Sequence, residues 1–234
     1  MTFKRLARLL LLWEARRLPK QKRLIFTRNY NIMIIRGENM IKTLAMLLDE
    51  LKDYANPYSK ISRMVKQGEC FRVVKNLYVT ERNIPGHLLA GSIYGPSYIS
   101  FDYALSYYGM IPEAVYTITC ATFAKKKKKK YETPFGVFTY RDVPDAAFPL
   151  CLQVLQEGEY FYRIAEPEKA LCDKLYTLVP MANARALADL LLDDLRMEEE
   201  ALAALNLDKI KMLSEHYRIG NIRKLVTLIR RMQK

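Results

Sequence analysis

The sequence predicts an α+β fold, and three observations predict it. Segments of helical period dominate from residue 167 to the end. Several β-prone runs bounded by turn residues lie between residues 71 and 164. Ahead of them stand two helical segments, and the first two of the runs form a tight hairpin. The 234 residues, half of them apolar, suffice for a substantial core and are too rich in aromatic and aliphatic side chains for global disorder. No stretch approaches the ~18 apolar residues that a membrane span needs.

Taken in order, Ile41, Leu44, Ala45, Leu47, Leu48 and Leu51 recur at helical spacing, predicting a helix from Met40 to about Asp53. Asn56-Pro57 starts a second helix, because Asn caps the orphan amides and proline's fixed φ suits the first turn. Gly68 stops it, with Ile61, Met64 and Val65 on its inner side. Phe71-Arg72-Val73-Val74 and Leu77-Tyr78-Val79-Thr80 are β-prone and joined at Lys75-Asn76, where Asn tolerates a left-handed turn. Helix, helix, hairpin is the order of a small winged helix, here at residues 40–82 and shorter than usual.

The boundary to a second domain, residues 83–234, falls at Glu81 to Pro85. Pro85 to Ile93 reads as a short helix carrying His87, Gly95-Pro96 as a break, and Tyr98 to Tyr108 as another helix. Val115 to Phe123, Gly136 to Arg141 and Tyr160 to Ile164 read as strands, while Leu150 to Leu155 leaves its type open. Residues 167–178, 183–196, 198–205, 208–217 and 221–232 form a helical C-terminal tail. Its last member is the clearest: Ile222, Leu225, Val226 and Ile229 make one apolar stripe, with Arg223, Lys224, Arg230 and Arg231 opposite.

The formal charge is +13, from 38 Lys+Arg against 25 Asp+Glu. Residues 1–39 alone carry +8, and residues 40–234 carry +5, which the run Lys125 to Lys130 exceeds by itself. The excess therefore sits in two local blocks on a nearly neutral body. Arg36-Gly37-Glu38 ahead of Met40 can be encoded AGA-GGA-GAA, which contains the bacterial ribosome-binding sequence AGGAG. Met40 is thus expected to be the true start, with residues 1–39 a translated leader; the alternative is a disordered basic arm. Cys70, Cys120, Cys151 and Cys172 include no CxxC pair, and His87 and His216 are the only histidines. Reduced thiols in a cytoplasm are expected, with no metal site and no cofactor.

Two basic clusters are candidate DNA contacts. Ser59, Lys60, Arg63, Lys66 and Gln67 share one helical arc, and Arg72 with Lys75 extends it along the hairpin. In a major groove, Arg and Gln read base edges and Lys meets phosphate. An ordinary solvated helix face accounts for the same residues. Lys125, Lys126, Lys127, Lys128, Lys129 and Lys130 offer phosphate contacts by counterion release, or serve as a soluble loop between strands. Tyr94, Tyr98, Tyr103, Tyr107 and Tyr108 cluster at spacings that suit packing better than base stacking. Catalytic motifs are absent: there is no P-loop, no GxSxG and no HExxH. Glu166, Glu168 and Asp173 lie close together, but Glu166-Pro167-Glu168 suits a helix start, where acids favour the dipole. An enzyme is not expected.

Three blocks carry a resemblance. Tyr94-Gly-Pro-Ser-Tyr-Ile-Ser-Phe-Asp-Tyr-Ala-Leu-Ser-Tyr-Tyr-Gly-Met-Ile-Pro112 precedes Thr133-Pro-Phe-Gly136 with Phe138-x-Tyr-Arg141, and Ile164-Ala-Glu-Pro-Glu-Lys-Ala-Leu-Cys-Asp173 follows. In order and spacing they resemble the AbiEi family of bacterial antitoxins and transcriptional regulators, whose members show YISxxSALxxxGLIPE, TPFGxFxYR and A(S)PEKALLD blocks. The resemblance covers about residues 40–180.

It implies an N-terminal winged helix joined to a C-terminal antitoxin domain. The protein would repress its own operon by binding inverted repeats in double-stranded DNA. It would also oppose a nucleotidyltransferase toxin of AbiEii type without a stable complex, in a type IV toxin–antitoxin system serving abortive infection and phage defence. Relatives also tend to carry basic residues before the TPFG block, where the lysine run falls. Two features depart from the family: the winged helix is trimmed, and the turn is Lys75-Asn76 where relatives often have Arg-Gly. Two other readings stand beside this one: an antitoxin-like module that binds protein and not DNA, and a phage-defence enzyme built on Glu166, Glu168 and Asp173.

Overall fold

The computed structural model describes the strand pair Ile25–Phe26 (β1) and Met33–Ile34 (β2) together with residues 40–234. A translated leader or basic arm at residues 1–39 lies otherwise outside the described residues. The architecture is a mixed α+β one.

The first part builds a three-stranded antiparallel sheet around two helices. Its elements are β3 (Ile41–Thr43), α1 (Leu44–Glu50), α2 (Pro57–Gln67), β4 (Phe71–Val74) and β5 (Leu77–Val79), with strand order β3-β5-β4. The helix expected from Met40 is thereby corrected at both ends. Ile41 and Thr43 pair with Val79 and Leu77, and β-branched side chains fit a pleated ladder better than a helix. Thr43 then caps α1, its Oγ1 accepting a hydrogen bond from the Met46 amide at 3.3 Å. The second helix follows its local signals. Asn56 Oδ1 accepts from the Ser59 amide at 3.0 Å, and Gly68 closes the helix at φ +73°, a conformation that glycine adopts without steric cost. Ile61 is buried, whereas Val65, expected on the inner side, is 36% exposed. Asn76 turns the hairpin at φ +65°.

The second part is built on a six-stranded mixed sheet. It comprises β6 (Tyr98–Ile99), β7 (Ile118–Thr122), β8 (Lys129–Thr133), β9 (Gly136–Asp142), β10 (Leu152–Glu157) and β11 (Tyr160–Ala165), in the order β10-β11-β6-β7-β9-β8. Leu152–Glu157, whose neighbourhood the sequence leaves open, is an edge strand. Tyr98 and Ile99, expected in a helix, pair with Ala121 and Cys120, while Ile99 also meets Ile164. Two residues suffice for this central strand because the ladder on either side holds them. Helix α4 (Phe101–Tyr107) begins after Ser100. The lysine run is likewise not all loop, since Lys129 and Lys130 open β8 opposite Tyr140 and Thr139.

A 3-10 turn at Gly86–Leu89 leads into α3 (Ala90–Ile93). Gly86 is required by close approach: a Cβ there would stand 2.4 Å from the Phe135 carbonyl oxygen and 2.8 Å from Ile118 Cδ1. The tail comprises α5 (Pro167–Tyr176), α6 (Ala184–Asp189), α7 (Glu199–Ala203), α8 (Leu207–Tyr217) and α9 (Gly220–Met232). The helix expected over 183–196 changes at Leu190 to a wider π turn through Asp194. In α9 the stripe Ile222, Leu225 and Ile229 is fully buried. Asn221 pins the helix start, its Oδ1 accepting from the Met181 amide at 2.8 Å and its Nδ2 donating to the Val179 carbonyl at 3.0 Å.

One contiguous core runs through both parts. Ile41, Val73, Leu77 and Val79 join Ile84, Leu88, Ile99 and Phe138 in the same cluster. The Met40 amide donates to the Tyr160 hydroxyl at 2.9 Å across the expected boundary at Glu81 to Pro85. Among the described residues, no helix is long and apolar enough to cross a membrane.

Candidate nucleic-acid interface

The exposed side of α2 is a stripe of Ser59, Arg63, Lys66 and Gln67. A shallow depression along it is lined by Tyr58, Ser59, Ser62, Arg63 and Lys66. Tyr58, 63% exposed, and Ser62 belong to this face although the basic pattern alone does not single them out. Their signal is position: residues 58, 59, 62, 63 and 66 recur at helical spacing. Lys60 is placed differently. It is half-buried, its ammonium 3.7 Å from Glu69 and 6.0 Å from the Tyr54 ring centroid. Lys60 therefore bridges α2 to its surroundings, while Arg63 and Lys66 point their charge outward.

On the hairpin, Arg72 and Lys75 are exposed while Val73 turns into the core. The alternation follows from the pleat, which sends successive side chains to opposite faces. Beside this hairpin runs β8: β4 and β8 come within 8 Å of each other, Cα to Cα.

The lysine run leaves the sheet from an anchored base. Asp142 accepts from the Thr122 hydroxyl through Oδ1 and from the Lys126 amide through Oδ2, both at 2.6 Å. The Lys125 ammonium lies 5.3 Å from the centroid of the Tyr94 ring, within cation–π range. Lys130 pairs with Glu132 at 2.6 Å, and that hydrogen bond holds the Glu132 carboxyl below its ordinary value. Lys126, Lys127, Lys128 and Lys129 are exposed and have no ion-pair partner among the described residues.

The three carboxylates weighed for catalysis are drawn to three different partners. Glu166 accepts from Lys209 Nζ at 2.7 Å, a hydrogen bond that raises the lysine's pKa. Glu168, 6% exposed, accepts from the Asn206 amide at 2.8 Å through Oε1, while its Oε2 has no partner among the described residues. Asp173 is fully buried and accepts four hydrogen bonds. Lys169 Nζ at 3.0 Å and the Tyr217 hydroxyl donate to Oδ1; Tyr98 at 2.9 Å and Ser100 at 2.6 Å donate to Oδ2. Lys169, equally buried, also donates to the Tyr217 hydroxyl and lies over the Tyr98 and Tyr217 rings. Burial pushes both phenols well above their ordinary pKa, and the Asp173 charge adds to the rise.

Sequence reasoning missed this network. The available signal was a Lys and an Asp one turn apart on a helix whose intervening residues, Ala170, Leu171 and Cys172, are all apolar. The network explains two of the three sequence blocks: Tyr98 and Ser100 come from the first and Lys169 and Asp173 from the third. Tyr140, from the second, donates to the Ala90 carbonyl at 2.8 Å. These motif residues hold the scaffold together.

Elsewhere, His87 Nε2 sits 2.7 Å from a Glu157 carboxylate oxygen, and its ring packs on Tyr162 with centroids 4.8 Å apart. The four cysteines are free thiols, and burial raises those of Cys120 and Cys172 far above the usual range. Of the tyrosine cluster, Tyr98 is buried and Tyr94 packs edge-on against Tyr140 at 5.3 Å, while Tyr107 is 53% exposed.

No family model matches the chain, and no curated protein matches it. Among solved structures, the crystal structure of the RV2827C protein from Mycobacterium tuberculosis is similar over 84% of this chain and 73% of that one. The two are 13% identical, with a TM-score of 0.54. The likeness is one of fold.

Proposed function

We propose that the chain is a DNA-binding regulator of the antitoxin type, in which α2 enters the major groove and the β4–β5 hairpin lies along the backbone. The observation that carries this reading is the stripe Ser59, Arg63, Lys66 and Gln67 on a helix capped at both ends, followed by an exposed basic hairpin. A rigid helix with outward Arg and Gln suits base-edge contact, and lysines beside it suit phosphate. The order strand, helix, helix, hairpin supports the winged-helix reading. The family resemblance adds autorepression at inverted repeats, a cytoplasmic setting and opposition to a nucleotidyltransferase toxin without a stable complex, by means other than catalysis. The separate partners of Glu166, Glu168 and Asp173 favour structural roles for these acids over a shared catalytic one.

A gel shift on the DNA upstream of the gene tests the first half. The unmodified protein should retard it, and R63A/K66A should not. An unshifted duplex with the unmodified protein would overturn the reading. Co-expression with a neighbouring nucleotidyltransferase gene tests the second half, where restored growth is the expected result.

A further inference from the structure

The hollow on α2 holds one side chain that its basic stripe does not account for. Tyr58 stands in the first turn, directly after Pro57, and is 63% exposed. It contributes little to the core, which α2 reaches through Ile61 on its other side. The nearby Tyr54 ring is met by the Lys60 ammonium, whereas Tyr58 lines the depression with Ser59, Ser62, Arg63 and Lys66. At ~100° per residue, Tyr58 and Arg63 stand about 140° apart around the helix axis, with Ser62, Lys66 and Ser59 between them. The hollow therefore has a phenol ring as one wall, a guanidinium as the other and two short hydroxyl side chains as its floor.

A surface of this composition fits the major-groove edge of a base pair. That edge carries acceptors suited to Arg63, and at thymine it adds an apolar C5-methyl group. Serines at the floor let the helix approach the edge closely, and the first turn of a recognition helix is the part that reaches bases. The charge around the hollow matches a polyanion: Arg63, Lys66, Arg72 and Lys75 are all exposed, and α2 contains no acid. We infer that the Tyr58 ring packs against a thymine methyl group of the duplex that α2 engages, which makes Tyr58 a specificity-determining residue beside Arg63. This inference rests on the DNA-binding reading above. It gives Tyr58 a preference for thymine over cytosine at its position, and leaves the phosphate contacts to the lysines.

Fluorescence anisotropy of the full chain tests it, using the upstream duplex and the same duplex with deoxyuridine in place of every thymine. The replacement removes the methyl groups and keeps the base pairing. The unmodified protein should bind the deoxyuridine duplex more weakly, by about fourfold for each methyl group it contacts. Y58A should bind the thymine duplex more weakly and abolish the difference between the two. Y58F retains the ring and should retain the difference. R63A should weaken binding to both duplexes and leave the difference in place. Equal binding of the two duplexes by the unmodified protein would overturn the methyl contact while leaving α2 as a DNA reader. A difference that survives in Y58A would assign the contact to another residue and overturn the role of Tyr58. Failure of the unmodified protein to bind either duplex would overturn both readings.

Discussion

Lys169 and Lys127 carry the same ammonium group in opposite settings. The first lies at the buried core of α5, ion-paired to Asp173 and flanked by two tyrosine rings. The second stands in water on an anchored loop. Removing a charge from water is costly, and only a complete set of partners offsets it. Lys169 therefore serves the fold, whereas the exposed lysines contribute little to stability and are available to a partner. A count of basic residues cannot distinguish the two. Burial and partner geometry do.

The largest effect should come from removing one side of the buried pair. Lys169→Met deprives the buried Asp173 carboxyl of its ion-pair partner and of one of its donors, and should cost about 3–5 kcal/mol in urea denaturation. The double change K169M/D173L should cost less than the sum of the single changes, because no charge is then left alone. Single changes within about 0.5 kcal/mol of the parent protein would erase the contrast between the two lysine settings.

Alkali tests the same network next. The folded-state pKa values of Tyr98 and Tyr217 are raised by burial and by Asp173. Above pH ~10 the unfolded phenols ionise while the buried ones stay protonated. Stability should accordingly be level below that pH with respect to these groups and fall as pH rises beyond it. Y217F should make the alkaline decline shallower, read as Tm against pH. An identical decline in that variant would show that the buried phenols do not control it.

On the exposed side, Arg63→Ala should weaken binding to the upstream duplex by about 1–3 kcal/mol. It should leave the unfolding transition within about 0.5 kcal/mol. A large drop in stability would mean that Arg63 serves the fold, as Lys169 does. The smallest effect expected is that of Asn56→Ala. It removes the cap of α2 and should cost about 1 kcal/mol, with hydrogen exchange rising first in the Ser59 amide that Asn56 holds.

The elements legible in the sequence are those whose causes are local. Asn56-Pro57 and Gly68 bound α2, and Asn76 turns the hairpin. The stripe Ile222, Leu225 and Ile229 marks the buried face of α9. Of the candidate interface, Arg63, Lys66, Gln67, Arg72 and Lys75 could be placed on an exposed face because period and cap define which way a helix or hairpin looks. Lys60 could not, since its bridge to Glu69 and Tyr54 depends on how α2 meets its neighbours.

What the sequence by itself determined was thus the succession of helices and turns and the outward stripe of α2. Their signals lie within one or two turns of chain. Tertiary structure alone decided that Tyr98 and Ile99 form a central strand and that β4 runs beside β8. It also decided that Lys169 is buried against Asp173 while Lys126 to Lys129 are exposed. Strand pairing and burial depend on partners distant in sequence, and the local pattern at either partner does not encode the other's position.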